Sequence, residues 1–303
     1  EGADGPYKTE VLILDKIAKI YRNKRFKNGA LLINSEEIRF KLDDKGEPID
    51  LIVKVSKDAH QLIEEFMLLA NKKVAEFVGK AKKGVEVVPF VYRVHDKPDP
   101  EKIALLAAFV DKFGHALSFN HPDEISKSIN KLLTDINNTN EFGIIQQMAI
   151  RSMAKATYDT DNIGHYGLGF SHYTHFTSPI RRYADLMVHR VLLECLEKQP
   201  HRYSTKLADI CKRISRTERK ATEAERESNK YFQVVYVHDK VGETFDGIVT
   251  GVAEFGLFVK MTVNACEGMV PLAELPGDRF SFDAKKMEII GQRTGKSFKF
   301  GDN

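Results

Sequence analysis

Ser171–Leu193 reads SHYTHFTSPIRRYADLMVHRVLL, and this stretch decides the fold because it marks a helix start and sets two adjacent arginines there. Thr177 or Ser178 suits the N-cap and Pro179 the first helical position, while Ile180, Ala184, Met187, Val191 and Cys195 form an apolar stripe. The spacing predicts a helix that carries Arg181 and Arg182 in its first turn. The macrodipole places roughly half a positive charge at that end, so cations there are disfavoured unless an anion answers them. Free backbone N–H groups, the dipole and guanidinium forks together suit a phosphate. Solvation, or pairing with a nearby carboxylate, is the competing reading.

The flanks extend this picture. Asn162–Phe170, NIGHYGLGF, holds Gly164, Gly167 and Gly169, a density that marks positive φ angles or close backbone approach. Downstream, a long helix from about Thr205 to Phe232 repeats Leu207, Ile210, Ile214, Thr217, Ala221, Ala224, Ser228 and Tyr231 at spacings expected of a packed seam. Glu225 stands beside that seam in the charge run TERKATEAERES, most of which reads as a solvated face. Upstream, helical patterns cover residues 8–25, with Val11, Leu14, Ile17, Ala18 and Tyr21 on one face, and 57–80, with Ala59, Leu62, Ile63, Phe66, Leu69, Ala70, Val74 and Phe77 as a buried stripe. Glu64 and Asn71 sit at the margin of that stripe and need partners. Short strands are expected at 30–33, 37–42 and 49–55 as a meander and at 85–94, with further helices at 102–113, 122–137 and 141–155.

From about Lys240 helical periodicity stops. GETFDGIVTGVAEFGLFVKM and then EGMVPLAEL alternate with glycines, which predicts a separate small antiparallel barrel with its boundary between 236 and 242. One of Phe255 and Phe258 is expected in the barrel core, since strand neighbours at odd spacing face opposite sides. After Leu275 the sequence is polar and lysine-rich, with no clear closing strand.

Composition sets the class. The 303 residues are 42% apolar and 29% charged, enough for one large domain and a small one. No apolar run approaches the roughly 18 residues that a membrane-spanning helix needs. Three cysteines, Cys195, Cys211 and Cys266, are odd in number and unclustered, which points to a reducing cytoplasm without a disulfide framework. The net charge of +3 mildly favours an anionic partner. Tyr21–Lys27, YRNKRFK, gathers four basic and two aromatic residues, as a backbone-tracking segment or a solvated helix end would. The opening EGADGPYKTE has no leader pattern and no Met, so the chain reads as a piece of something longer.

Four segments, in order, resemble the C-terminal half of ribonuclease II / ribonuclease R family exoribonucleases. They are IEEFMLLAN (Ile63–Asn71), NIGHYGLGF with HYTHFTSPIRRYADLMVHR (His172–Arg190), AERES (Ala224–Ser228), and GIVTGVAEFGLFVKM with GMVPLAEL. The last resembles the OB-fold first seen in ribosomal protein S-one. The resemblance implies an α+β chain, with residues 1–238 as the helix-rich C-terminal portion of an RNB-type catalytic domain. Residues 239–303 would form an OB-fold barrel that is incomplete. It implies processive, hydrolytic 3′-to-5′ degradation of RNA by the parent protein, with release of nucleoside 5′-monophosphates and magnesium held by an aspartate cluster. The expected partner is the 3′ end of single-stranded RNA, with no membrane and no obligate protein partner. Arg181 would contact the scissile or a neighbouring phosphate, Glu225 would line the cavity around the last nucleotides, and Glu64 would bind a terminal sugar or base. Arg182, Tyr183 and His175 are further RNA-binding assignments, joined on the barrel by Phe255, Phe258 and Lys260.

The sequence departs from the family in one chemical respect. No Asp-rich motif exists; Asp43-Asp44 suits a hairpin turn and Asp159-Thr160-Asp161 a loop. Phosphodiester hydrolysis with two metals needs carboxylates to hold hard cations about 4 Å apart. The chain is therefore expected to bind and orient RNA, to hold no metal of its own and to lack nuclease activity, because its catalytic domain is truncated at the N-terminus. The alternative is a non-catalytic RNA-binding protein with a degenerate RNB domain. In the barrel, Pro271 in VPLAEL replaces a histidine that the family often has. A zinc hydrolase built on His172, His175, His165 and His189 is disfavoured, since that spacing in an extended segment suits zinc poorly.

Overall fold

A computed structural model describes residues 5–32, 37–54, 56–80, 88–118, 122–137, 139, 141–198, 205–263, 266–284 and 286–303. Helix α1 (Lys8–Lys27) stops at Asn28 and Gly29, whose φ of 94° suits glycine. Its expected apolar face is not covered: Val11, Leu14, Ile17 and Tyr21 remain 36–51% exposed, and burial is confined to Ala18 and Arg25. Strands β1 (Glu37–Leu42) and β2 (Pro48–Lys54) form an antiparallel hairpin. Asp43 closes its turn by accepting the N–H groups of Lys45 at 2.9 Å and Glu47 at 2.8 Å. Residues 30–32 are irregular, so this is a two-stranded ribbon and not the start of a meander; Ile33 falls outside the described residues.

In α2 (Asp58–Gly79) the buried face is Glu65, Leu68, Asn71, Ala75 and Val78, turned away from the predicted stripe; Ile63 and Phe77 are 57% and 45% exposed. The cause is polar. Arg25 of α1 is buried against Glu65, with Arg22 3.9 Å from the same carboxylate. A buried charge pair broken on one side costs about 3–5 kcal/mol, which outweighs the gain from rotating one aliphatic side chain inward. Arg22 and Arg25 of the YRNKRFK cluster, whose guanidinium carbons each lie 5.0 Å from the Phe26 ring centroid, thus serve packing.

Strand β3 (Tyr92–Val94) pairs antiparallel with β4 (Thr157–Asp159), and the expected strand start at 85–87 falls outside the described residues. Helices α3 (Pro100–Asp111), α4 (Pro122–Asp135) and α5 (Phe142–Ser152) pack together through Ile103, Leu106, Val110, Ile129, Ile136 and Ile145. Helices α6 (Tyr183–Glu197) and α7 (Leu207–His238) cover β3 and β4, burying Phe90, Val91, Met187, Val188 and Leu207 almost completely. The long helix is buried only at Leu207, Cys211 and Ile214. The predicted seam does not continue: residues 219–228 are exposed throughout, and Tyr231 is 65% exposed. Farther along, Phe232 and Tyr236 reach the hairpin through Phe40, at centroid separations of 5.7 and 6.4 Å.

The barrel has two three-stranded antiparallel sheets. One orders β5 (Gly247–Ala253), β6 (Gly256–Met261) and β7 (Glu267–Pro271); the other orders β8 (Phe280–Asp283), β9 (Glu288–Gly291) and β10 (Ser297–Lys299). The lysine-rich stretch after Leu275, expected to lack a closing strand, supplies the whole second sheet. It also ties to the first sheet, because Val249 donates to the Asp302 carbonyl at 2.8 Å and accepts from Gly301 at 2.9 Å. Val249, Leu257, Phe280 and Ile289 form the barrel core. Among the described residues no helix is long and apolar enough to cross a membrane.

Candidate nucleic-acid interface

The TSPIRR segment folds as a turn before the helix rather than as its first turn. The N–H groups of Arg181 and Arg182 both reach the Ser178 carbonyl, at 3.3 and 3.1 Å, and α6 begins at Tyr183 with Arg182 as its extended N-cap. Ile180, expected in the apolar stripe, is fully exposed, whereas Ala184, Met187 and Val191 are buried as expected. Asp185 explains the shift. This carboxylate is 0% exposed, accepts the Ser178 N–H at 2.7 Å, and receives Arg182 Nε and Nη2, each at 2.8 Å. A carboxylate in the first helical turn also complements the macrodipole.

The two arginines therefore differ. Arg182 is neutralised by Asp185, as the competing reading had it, while Arg181 is exposed and has no hydrogen-bonded or ion-paired carboxylate among the described residues. Tyr183 is half-exposed beside them. Asn71 holds the approach to the turn: its Oδ1 accepts the N–H groups of Phe176 at 2.9 Å and Thr177 at 3.2 Å, and its Nδ2 donates to Tyr173 Oη at 3.1 Å. A cavity of about 420 Å³ opens here, lined by Glu64, Asn71, Tyr173, Thr177 and Arg182 among others. Thr177 Oγ1 is buried without a partner. Glu64 is half-exposed on the lining, 3.6 Å from Arg25.

Behind the turn lies a line of neutral rings. Tyr158 Oη and His175 Nδ1 are 2.8 Å apart, and the Arg93 guanidinium lies 4.6 Å from the Tyr158 ring centroid while pairing with Glu218 of α7. Tyr173 stands 5.7 Å from His175 and 5.3 Å from His165. Burial, aided by nearby arginines, pushes His175 down to about 2; burial, aided by His95 and Arg93, pushes His165 down to about 3. Burial raises the Tyr158 hydroxyl to about 12. His175, the RNA-binding assignment implied by the resemblance, thus stands in the wall of the turn as an uncharged ring. Two of the three loop glycines have positive φ, and the third, Gly167, lets His95 come so close that a Cβ would meet its Nδ1 at 2.8 Å.

Glu225 is not brought to this cavity; it lies in the exposed middle of α7, seven residues beyond Glu218. Among the described residues no three His, Cys, Asp or Glu side chains converge to hold a metal. Asp159 is occupied with the N–H groups of Thr160 and Asp161, and His189 stacks on Phe176 at 4.2 Å. Among the described residues the donors present do not fit a magnesium site.

On the barrel, Phe255 sits in the β5–β6 turn and is 61% exposed, so the odd-spacing argument that placed one phenylalanine in the core does not apply. Phe258 is half-buried on the outer face, 6.1 Å from Phe255, and Leu257 and Val259 turn inward instead. Lys260 follows Phe258 on that face, opposite Ile248 and Glu267. Gly251 lies across from Phe258, and a Cβ there would meet its ring at 3.1 Å. Gly251→Val is expected to displace Phe258 and weaken oligonucleotide binding with little loss of stability; an unchanged affinity in a filter-binding titration would show that this face is not used.

Residues 1–198 match the RNB domain model, and residues 238–297 match the S1 RNA binding domain model. The chain belongs to the RNB family. This RNB chain is 38% identical to ribonuclease R of Thermotoga maritima over 305 residues, covering 98% of the chain and 42% of that protein. It is 35% identical to ribonuclease R of Aquifex aeolicus, covering 96% and 41% respectively. Its fold matches apo Mycoplasma genitalium RNase R with a TM-score of 0.87 at 28% identity, over 100% of this chain and 48% of that one. The same enzyme in complex with ribose-methylated single-stranded RNA matches with a TM-score of 0.86 at 27% identity, again over 100% and 48%. The RNB chain thus spans less than half the length of these relatives.

Sequence reasoning passed over Asp185, although an acid three residues after an arginine at a helix start is a recognisable signal. It also passed over Glu65 and Arg25, which no local pattern marks, since their partnership joins α1 to α2.

Proposed function

We propose that this chain is the RNA-holding part of a 3′-to-5′ exoribonuclease that releases nucleoside 5′-monophosphates, with residues 1–238 as the C-terminal RNB portion and 239–303 as the OB-type domain. The observation that carries the proposal is the unequal arginine pair. Arg182, which lines the cavity, is paired with Asp185 and fixes the turn, leaving the adjacent Arg181 exposed and without a carboxylate partner among the described residues. A guanidinium held this way suits a phosphate, which it can grip with two parallel hydrogen bonds. Relatives named ribonuclease R support the reading, as do the Mycoplasma genitalium complexes with single-stranded and double-stranded RNA.

In this proposal Arg181 binds a phosphate near the 3′ end and Glu64 meets the terminal sugar or base. Arg182 and Tyr183 shape the turn, His175 supports its wall, and Glu225 faces the last nucleotides only in the assembled protein. Phe255, Phe258 and Lys260 receive bases and backbone farther along the strand. The carboxylates for magnesium belong to polypeptide beyond residues 1–303, in a cytoplasmic enzyme. The second reading is an RNB protein that binds RNA without cutting it, and the lack of converging metal donors among the described residues is compatible with both. A whole parent protein that releases mononucleotides in magnesium excludes it.

Arg181→Ala is expected to weaken binding of a 3′-single-stranded oligoribonucleotide about tenfold, or about 1.4 kcal/mol, and to flatten the salt dependence by about one counterion. Its melting temperature should match the parent chain. Unchanged affinity in a fluorescence-anisotropy titration would remove Arg181 from the phosphate role.

A further inference from the structure

A second cavity, of about 670 Å³, lies on the other side of the glycine-rich loop, and the mechanism above does not use it. Three lysines from three separate elements line it: Lys27 at the end of α1, Lys97 in the link from β3 to α3, and Lys127 on α4. None of the three has an ion pair among the described residues, and Asp96 is the one carboxylate on the lining. Like charges gathered on a concave, partly low-dielectric wall repel one another and raise the local anion concentration. His165 also lines this cavity, and its Nδ1, shielded from solvent, has no hydrogen-bond partner. Buried polar atoms in native proteins are nearly always paired, so this ring is a sensitive reporter of a change at the cavity wall.

We propose that this cavity is a phosphate-binding site, distinct from the cavity lined by Asn71 and Arg182 and independent of the reading given to it. The two are adjacent: Tyr173, which lines the first, is 5.3 Å from His165 and 5.7 Å from Phe170, which line the second. The ligand is a phosphate group held by the lysines, from either a nucleoside 5′-monophosphate or the backbone of an RNA strand. Both sources share the chemistry, and their difference in valence and size separates them.

The test uses the whole 303-residue chain at low salt, titrated with inorganic phosphate, with AMP and with a single-stranded oligoribonucleotide, while the His165 side-chain nitrogen resonances are followed. Saturable shifts at His165 with AMP and phosphate support a monoester site, and shifts with the oligonucleotide alone support a backbone site. The K27Q/K97Q/K127Q chain should bind the effective probe at least tenfold more weakly, whereas K131Q, elsewhere on α4, should bind it as the parent does. Among the described residues these lysines have no ion-pair partners to lose, so the triple variant should keep its helical circular dichroism. No shift at His165 with any of the three probes, or equal weakening by K131Q and the triple variant, overturns the proposal.

Discussion

Replacing Asp185 by alanine is expected to destabilise the chain by about 3–5 kcal/mol and to abolish RNA binding at the turn. The carboxylate is completely buried and receives three hydrogen bonds, from the Ser178 backbone and from two nitrogens of Arg182. Its removal leaves the Arg182 charge half-buried without an anion and frees the backbone that aims Arg181. Asp185→Asn keeps the shape and one acceptor, so it should cost less stability while still losing the charge pair. Chemical denaturation of the two variants separates these contributions. A loss below about 1 kcal/mol for Asp185→Ala would mean that the turn is held by its backbone alone.

The second large effect is on pH. His165 and His175 are folded into neutral surroundings with folded values of about 3 and about 2, against about 6.5 when unfolded. Below pH 6.5 the unfolded chain takes up protons that the folded chain refuses. Stability from these two groups is therefore complete above that value and drains away as the pH falls toward 3. The slope is about 1.4 kcal/mol per pH unit for each histidine, or about 2.7 for the pair, once well below 6.5. Urea denaturation at pH 7.5, 6 and 5 should show the loss, and His175→Gln should halve the slope. A stability constant from pH 7.5 to 5 would show that both rings take up protons in the folded state.

What was legible in the sequence followed from local signals. Asn28-Gly29 ended α1, Asp43-Asp44 turned the hairpin, and the glycine-rich loop announced close backbone approach that Gly167 and His95 make real. Long-range polar pairings were not legible. Hydrophobic periodicity placed Ile63 and Phe77 inward, but the Arg25–Glu65 pair and the Asn71 clamp turned α2 to bury its polar edge instead. The same blindness put Arg182 in a helical turn, because nothing in periodicity reveals that Asp185 folds back to claim it. The exposed faces of α1 and mid-α7 read as packed, since periodicity reports amphipathicity and not what lies opposite. The second barrel sheet escaped notice because its strands, FSFD, EIIG and SFK, are only three or four residues long, too short to show an alternating pattern.

The claim that this chain holds RNA without cutting it is tested most directly by one incubation. A 5′-labelled single-stranded oligoribonucleotide with a free 3′ end is mixed with the chain in excess magnesium, and both retention and products are followed over time. Salt-sensitive retention of intact RNA, weakened by Arg181→Ala, is the expected result. Steady shortening of the labelled strand from its 3′ end, or no retention at low salt, would contradict it.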